Sequence, residues 1–414
     1  MARVLIVGGG FGGVRAALHA RKILPADTEI TVVDKNAAQL FTPSLYEIAS
    51  VFDIPADRFH QSLRRAILLP YADIFKGKQI NFVQAEVKKI DFDTKIAFTN
   101  SDHQLAYDFL IIGVGSRVSD FGVSGVQDYA YQFKTFEDAL RVNQTVLELM
   151  ANAIRTGRNQ PLKFLIVGAG FTGIELAGEL ALFCRKLAHK LGIARKMAIF
   201  YLFEGAPKIL PNVSDKERLL IRRRLTKLGV VVMENSRIES AMSKTLKLKN
   251  SHTIEGDVVI WTAGVEPNAC LKTMGPLPIN DQGKIPVDEY LRVPELAHTF
   301  AVGDIIEFID EQTQRPVPGL AYTAADQGQV AAENIRNLLK QKPLKEYKPF
   351  YDAWIAPVGG KYAVAHLGQG ITVPGFVGWF IREMVDLRYF LSVLPFRKAL
   401  IYFWRGFRIF IRND

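Results

Sequence analysis

A glycine-punctuated grammar is written twice along this chain. Near the start, "RVLIVGGGFGGVRAAL" places a short apolar run, Val4–Val7, ahead of Gly8, Gly10 and Gly13, with a helical run from Val14 to Leu18 behind them. A strand, a G-x-G-x-x-G turn and a helix in that order bring free N–H groups and the positive end of a helix dipole to one point, where a pyrophosphate binds. Phe11 and Gly12 complete the turn. After about twenty residues, "EITVVDKN" forms a second strand that ends in Asp34, placed for a ribose hydroxyl, with Lys35 beside it. A lone glycine motif is weak. Flanked by a strand, a helix and a spaced acid, it is specific for a dinucleotide.

The second copy is "LKFLIVGAGFTGIELAGEL", with a strand at Phe164–Val167, then Gly168, Gly170 and Gly173, and Phe171 and Thr172 inside the turn. Its partner strand, "MAIFYLFEGAPKILP", ends at Glu204. The spacing to that acid is long because "FCRKLAHKLGIARK" lengthens the intervening helix. Glu204 should accept from a 2′-hydroxyl and repel a 2′-phosphate, which favours NADH over NADPH; nearby Lys208 weakens the preference.

Two such motifs imply two dinucleotides, FAD at the first and NADH at the second. The fold class is therefore α/β, with two Rossmann-type folds. "YDFLIIGVGSR" runs a strand into Gly113 and Gly115, "GDVVIWTAGVEPN" repeats the pattern at Gly264 and Val265, and "HTFAVGDIIEF" sets Gly303 and Asp304 after a strand, where an acid holds a ribityl hydroxyl. The expected order is an FAD fold at residues 1–115 and 290–345, an inserted NAD fold at 116–289, and a C-terminal region at 346–414. Hydride transfer between the two cofactors requires their rings to stack in a dry cleft between the folds.

The chain's last segment, "FRKALIYFWRGFRIFIRND", is the other unusual feature. Wound at about 100° per residue, it gathers Arg397, Lys398, Arg405, Arg408 and Arg412 in one arc, against a broad face that includes Trp404 and Phe407. Such a helix packs on a core, pairs with a partner, or lies in an anionic membrane surface. The upstream "WFIREMVDLRYFLSVLP" should form a preceding helix, with Pro395 at the break. Residues Tyr362–Ile381 contain too many glycines to span a membrane and read as a strand, a turn and a strand or helix start.

Composition narrows the partners. A net charge of +10 suits anionic cofactors or membranes. No basic run with interleaved aromatics precedes the tail, so nucleic acid is not expected. The two cysteines, Cys184 and Cys270, form no CxxC pair. They read as small buried hydrophobes in a reducing, cytoplasmic setting, with no redox dithiol and no metal site. The start of the chain reads as a strand and turn, not a signal peptide.

On "GGGFGG", "FTPSLYEIAS", "GAGFTGIELAGEL", "WTAGVEPN", "AVGD" and "KYAVAHLG", the chain resembles the type II NADH dehydrogenases, single-subunit NADH:quinone oxidoreductases. The resemblance covers nearly the whole chain. It implies FAD, NADH, a quinone acceptor, no proton pumping, peripheral attachment to the cytoplasmic face of the cell membrane, and a homodimer formed through the C-terminal part. By position it implies that Glu175 sits near nicotinamide and quinone as a gate or proton relay, and that Lys361 approaches the flavin. The same resemblance assigns Pro43, beside Phe41, to the loop over the flavin, and adds Val87 and Ala321 to the FAD site. Read from the residues alone, Glu175 is an ordinary first-turn helix acid, and Lys361 is equally a solvated strand-end lysine.

One departure stands out. The family's quinone motif, Ala-Gln-x-Ala-x-Gln, aligns with Ala321-Tyr322-Thr323-Ala324-Ala325-Asp326. Tyr322 and Asp326 replace both glutamines, one turn apart on one helix face, with Ala325 between them. A Tyr hydroxyl or a protonated Asp can donate to a quinone carbonyl; an ionised Asp cannot. A soluble-acceptor flavin reductase and a non-turnover NADH-binding flavoprotein acting through a partner are the competing readings. A sulfide-oxidising relative is disfavoured, because no cysteine follows Cys270.

Overall fold

A computed structural model describes residues 2–52, 59–193 and 197–411. Each glycine motif follows a strand of a five-stranded, wholly parallel sheet. The first runs in the order Thr299–Ala301, Phe109–Ile112, Arg3–Val7, Glu29–Asp34 and Asn81–Gln84. The second runs Tyr131–Gln132, Val258–Trp261, Leu162–Val167, Ala198–Phe203 and Val230–Met233. Strands such as "FLII" and "VVIW" are buried along their whole length, as parallel strands covered on both faces must be.

In both sheets the glycine strand is central, so its turn opens at the carboxyl edge beside a neighbouring strand. The edge strands have different origins. The first sheet takes its edge from residues far downstream, whereas the second takes it from residues ahead of its glycine motif.

The chain crosses between the two folds twice. Ser116–Val118 and Val265–Pro267, the outgoing and returning segments, pair as an antiparallel ribbon. Beyond it, Ile90 N–H already donates to Met274 O, and Ile285–Pro286 pairs with Ile306–Glu307. The return to the first fold therefore comes near residue 268, ahead of the expected 290. The connecting segment has little periodicity of its own and takes its place from these long-range pairs.

The first glycine helix, Phe11–Ile23, lies against the helix Ala321–Leu339. Their approach is close enough that a Cβ on Gly328 would stand 2.2 Å from Gly12 O. This crossing carries the amino end of the Ala321 helix to the first glycine turn.

The C-terminal region is a three-stranded antiparallel sheet, Trp354–Pro357, Ala363–His366 and Thr372–Gly375. Two helices follow, Phe376–Val393 and the tail helix Phe396–Phe410, with Pro395 capping the second. The strand and turn expected for Tyr362–Ile381 are present, and both foreseen continuations follow them, a second strand at Thr372–Gly375 and a helix from Phe376. Among the described residues, no helix is long and apolar enough to cross a membrane.

The tail helix is only partly the surface stripe expected from its sequence. Ala399, Tyr402, Phe403, Gly406 and Phe410 are buried against the protein. Lys398 turns inward to pair with Asp73, leaving the arc it was expected to join. The exposed face carries Arg397, Ile401, Trp404, Arg405 and Arg408, with Phe407 half-buried at its edge. Arg412 lies outside the described residues.

Candidate functional site

The two glycine turns have the same geometry. Gly8 and Gly168 adopt φ of +105° and +101°, a region a side chain resists. A Cβ on Gly13 would lie 1.8 Å from Gly8 O, and one on Gly173 would lie 1.8 Å from Gly168 O. Gly10 and Gly170 differ, because a Cβ there would meet nothing within 4 Å. Each of these two glycines begins its helix with no capping side chain and no acid in the first turn. The helix Phe136–Arg155, by contrast, is closed by a Thr135–Asp138 capping box. Both glycine turns thus present uncapped N–H groups to open space, the arrangement that fits a pyrophosphate.

The two acids are held alike. Asp34 Oδ2 accepts from Gly9 N–H at 2.7 Å, and Glu204 Oε2 from Ala169 N–H at 3.0 Å. Asn36 N–H and Ala206 N–H bind the remaining oxygens, both at 2.8 Å. Each carboxylate retains acceptor capacity for a ribose diol. The second acid is distant in sequence because its glycine helix has 20 residues against 13 in the first. Lys208, expected to weaken the preference for NADH, pairs at 3.1 Å with Asp215, and both side chains are exposed.

Between the folds, Ser116 Oγ donates to Asp304, and Lys134 Nζ donates to Ser116 Oγ at 2.9 Å. Gly303 N–H donates to the buried Gln327 Oε1 at 2.7 Å. Asp304 thus lies where the folds meet, beside Ser116 and Lys134. Ser116, Lys134 and Gln327 belong to motifs too generic to have singled them out. Gly115 and Gly264 flank the crossing ribbon, both at φ +68°, and Val265 beside them is exposed. The Phe121 ring covers Gly264. Val87 is buried and starts a strand of a separate antiparallel sheet, while Lys35 is exposed after Asp34.

Phe41 is buried in an aromatic group with Phe11, Tyr389 and Phe390 at centroid distances of 4.8 to 6.2 Å. Next to it, Arg382 gathers the loop. Its guanidinium donates to Glu47 (2.9 Å), Glu383 (2.7 Å) and Ser44 Oγ (2.9 Å), lies 3.3 Å from Asp386, and reaches Pro43 O at 3.4 Å. All four ionisable side chains are buried. Three carboxylates facing one cation cannot all be comfortably ionised. Burial, reinforced by Glu383 and opposed by Arg382, pushes Asp386 up to about 7.

Glu175 lies within the electrostatic reach of this cluster. It is in the second turn of its helix, not the first, and is half-buried. Burial pushes its pKa up to about 8, with Arg382 opposing and Asp386 adding to the shift. It is therefore largely protonated at neutral pH. Cys184 is buried and its thiol is pushed up, so it forms no thiolate; the Cys270 thiol is raised too.

A cavity of about 460 Å³ opens between the two C-terminal helices. Its lining is apolar, including Trp379, Phe380, Leu387 and Phe403, except for Lys361 and Glu383. Tyr322 and Asp326 do not line it. Tyr322 OH donates to Ala353 O at 2.8 Å, and burial raises the Asp326 pKa. Ala321 and Ala325 share their helix end, both half-buried.

The sequence model of the pyridine nucleotide-disulphide oxidoreductases matches residues 2–328. A type II NADH:quinone oxidoreductase of Staphylococcus saprophyticus is 27% identical over 396 residues, covering 93% of this chain and 94% of its own. One from Staphylococcus haemolyticus is 28% identical over 412 residues, covering 96% and 98%. The solved NDH2 of Plasmodium falciparum in complex with NADH superposes with a TM-score of 0.83 at 16% identity over 98% of each chain. The sulfide:quinone oxidoreductase of Aquifex aeolicus gives 0.76 at 20% identity over 94% and 91%. With two dinucleotide turns in one chain and a family match over most of its length, this protein belongs to the pyridine nucleotide-disulphide oxidoreductase family.

Proposed function

We propose that this protein is a flavin-dependent NADH:quinone oxidoreductase that works from one side of a membrane and pumps no protons. The first glycine turn and Asp34 would hold FAD, which when bound would supply the two-electron chemistry that links NADH to the quinone. The chain's own residues bind, orient and protonate. Asp34 and Glu204 hold the riboses, and the two glycine turns hold the pyrophosphates. Asp304, backed by Ser116 and Lys134, orients the flavin's polyol chain. Phe11, Phe41 and Tyr389 keep water from the cleft.

One observation carries the choice of a lipophilic acceptor. Glu383 lines the apolar cavity between the C-terminal helices and also accepts from Arg382 at 2.7 Å. A greasy pocket thus abuts the buried carboxylate cluster that tunes Glu175. An apolar molecule whose reduction consumes protons suits both halves of that arrangement. Glu175, protonated at neutral pH, is the proton donor of this reading, and Lys361 supplies a cation at the cavity wall. On the Ala321 helix, Tyr322 has spent its hydroxyl on Ala353, and burial raises the pKa of Asp326, one turn further on. The exposed faces of the C-terminal helices, with Phe376, Phe380, Phe396 and Trp404 beside Arg397, Arg405 and Arg408, suit a one-sided membrane contact. Staphylococcal relatives bearing the name type II NADH:quinone oxidoreductase support the same reading.

Anaerobic stopped-flow tests it. The NADH-reduced protein is mixed with soluble ubiquinone and menaquinone analogues while flavin reoxidation is followed. Reoxidation faster than steady turnover is expected with at least one. Flavin that NADH reduces but no quinone reoxidises would overturn the quinone assignment.

A further inference from the structure

The three-stranded C-terminal sheet contains a histidine that the proposed chemistry does not use. His366 pairs across the sheet with Trp354 on one side and Thr372 on the other. Directly paired residues share a face, and the Trp354 ring stacks on His366 at 5.7 Å and 10°. Trp354 also meets the Phe171 ring at 5.4 Å. Phe171 is the first residue of the second glycine helix, directly after Gly170. A row of rings therefore runs from the second dinucleotide turn to His366.

His366 is gripped from two sides. Its Nδ1 lies 2.7 Å from Glu217 Oε1 and its Nε2 2.9 Å from Asp352 Oδ1. Ionised carboxylates only accept, so both ring nitrogens donate and the ring is an imidazolium. Glu217 is almost wholly buried in the first turn of the helix Asp215–Leu228, where Ser214 Oγ (2.6 Å) and Thr372 Oγ1 (2.9 Å) also donate to it. Glu217 and Asp352 are the charged groups that face His366. Partial burial works against the charge, but these two acids outweigh it and hold the His366 pKa above its ordinary value. Ala353, between Asp352 and Trp354, receives the Tyr322 hydroxyl. The short segment Asp352–Trp354 thus touches the Ala321 helix, the second glycine helix and the His366 clamp together.

We propose that His366 is a positioning residue for the nicotinamide dinucleotide: clamped between Glu217 and Asp352, it fixes the Trp354 ring against Phe171, so that NADH affinity depends on the charge of His366 while the hydride step does not. This rests on reading the second glycine turn as the NADH site. The direction follows from the clamp. Below the folded-state pKa both carboxylates have a donor. As pH rises through it, the neutral ring keeps one N–H, one carboxylate loses its partner, and Trp354 loosens.

The test is the reductive half-reaction without quinone. Flavin bleaching by NADH is followed by stopped-flow across pH, which yields a half-saturating NADH concentration and a limiting rate. Bound FAD, quantified by absorbance, reports an intact first fold. In the wild type the half-saturating concentration should rise above one inflection while the limiting rate stays level. His366→Ala should raise it about tenfold below that inflection and abolish the inflection, with the limiting rate within about twofold. His366→Gln, which keeps one donor, should recover part of the loss, and Trp354→Leu should reproduce the His366→Ala affinity without altering FAD content. A flat wild-type profile, or a loss confined to the limiting rate, overturns the proposal. A wild-type flavin that NADH does not reduce overturns the assignment of the second turn, and the proposal with it.

Discussion

Arg382 Nη1 donates to Glu47 Oε1 at 2.9 Å, although 335 positions separate the two residues. The contact ties the first C-terminal helix to the loop that carries Pro43 and Ser44. Replacing Arg382 with Met would leave Glu47, Glu383 and Asp386 buried around an apolar side chain. Losing one partner of a buried ionic group costs about 3–5 kcal/mol, mostly through the charges left behind. Urea unfolding of the FAD-loaded protein should show a loss of that order at neutral pH. Mild acid should restore part of it, because protonated carboxyls repel less. An unchanged midpoint would mean the cluster carries little of the native state's stability.

The Glu175 carboxyl, with its pKa raised by burial from 4.5 to about 8, makes two pH predictions of known sign. The folded state holds a proton that the unfolded state releases between those values, so this residue's contribution to stability falls as pH rises across that window. Glu175→Gln should remove that decline. Quinone-driven flavin reoxidation should likewise slow in the wild type as pH climbs through about 8. In the variant it should be slower by about a hundredfold and flat with pH. Parallel pH profiles for the two proteins would remove Glu175 from the proton path.

Both dinucleotide folds were legible because their signals are local. Gly13 and Gly173 are fixed by contacts within their own turns, and Asp34 and Glu204 sit at the ends of adjacent strands. The Arg382 cluster was not legible. "REMVD" reads as an ordinary charged helix face, and only tertiary packing turns Arg382, Glu383 and Asp386 inward. Gln327 and Lys134 were hidden for the same reason. The tail misled in part. Helical periodicity placed Lys398 in the basic arc, but Asp73, distant in sequence, draws it inward. The early return to the first fold also depends on long-range pairs, through Met274 and Ile285.

Two neighbouring glycines should fail differently. A methyl group on Gly13 meets Gly8 O at 1.8 Å, whereas one on Gly10 meets no protein atom within 4 Å. Gly13→Ala should therefore distort the turn and lower the yield of folded protein. Gly10→Ala should fold with native circular dichroism, yet bind FAD at least about tenfold more weakly, because the methyl occupies the space the pyrophosphate needs. Equal FAD retention in the Gly10 variant would show that the cofactor does not enter that space.

Glu204 is expected to set the choice of nicotinamide. Its carboxylate is already anchored by Ala169 and Ala206 N–H groups, so it is oriented before any ligand arrives. Glu204→Ala should raise the KM for NADH about tenfold, as expected for the loss of a charge-assisted hydrogen bond. The KM for NADPH should fall, because the repulsion of a 2′-phosphate is gone. The kcat with NADH should change little, since the ribose contact is remote from the reacting carbon. A drop in kcat at constant KM would place Glu204 outside the substrate site.

Trp404 is 51% exposed and stands on the same outer face as Arg397, Arg405 and Arg408. Tryptophan prefers the membrane–water interface, and each arginine near an anionic surface adds about 1 kcal/mol. Flotation with vesicles containing phosphatidylserine should recover the wild-type protein in the lipid fraction. Reversing Arg405 and Arg408 to Glu should shift most of it to the soluble fraction, and raised salt should do the same to the wild type. Trp404→Ala should weaken binding on neutral and anionic vesicles alike, because it acts through apolar burial. Lys398→Ala should behave differently from the arginine variants. Its ammonium pairs with Asp73, so its loss should lower thermal stability and leave flotation unchanged. If Lys398→Ala detached the protein as strongly as the arginine reversals, the inward placement of that lysine would be wrong.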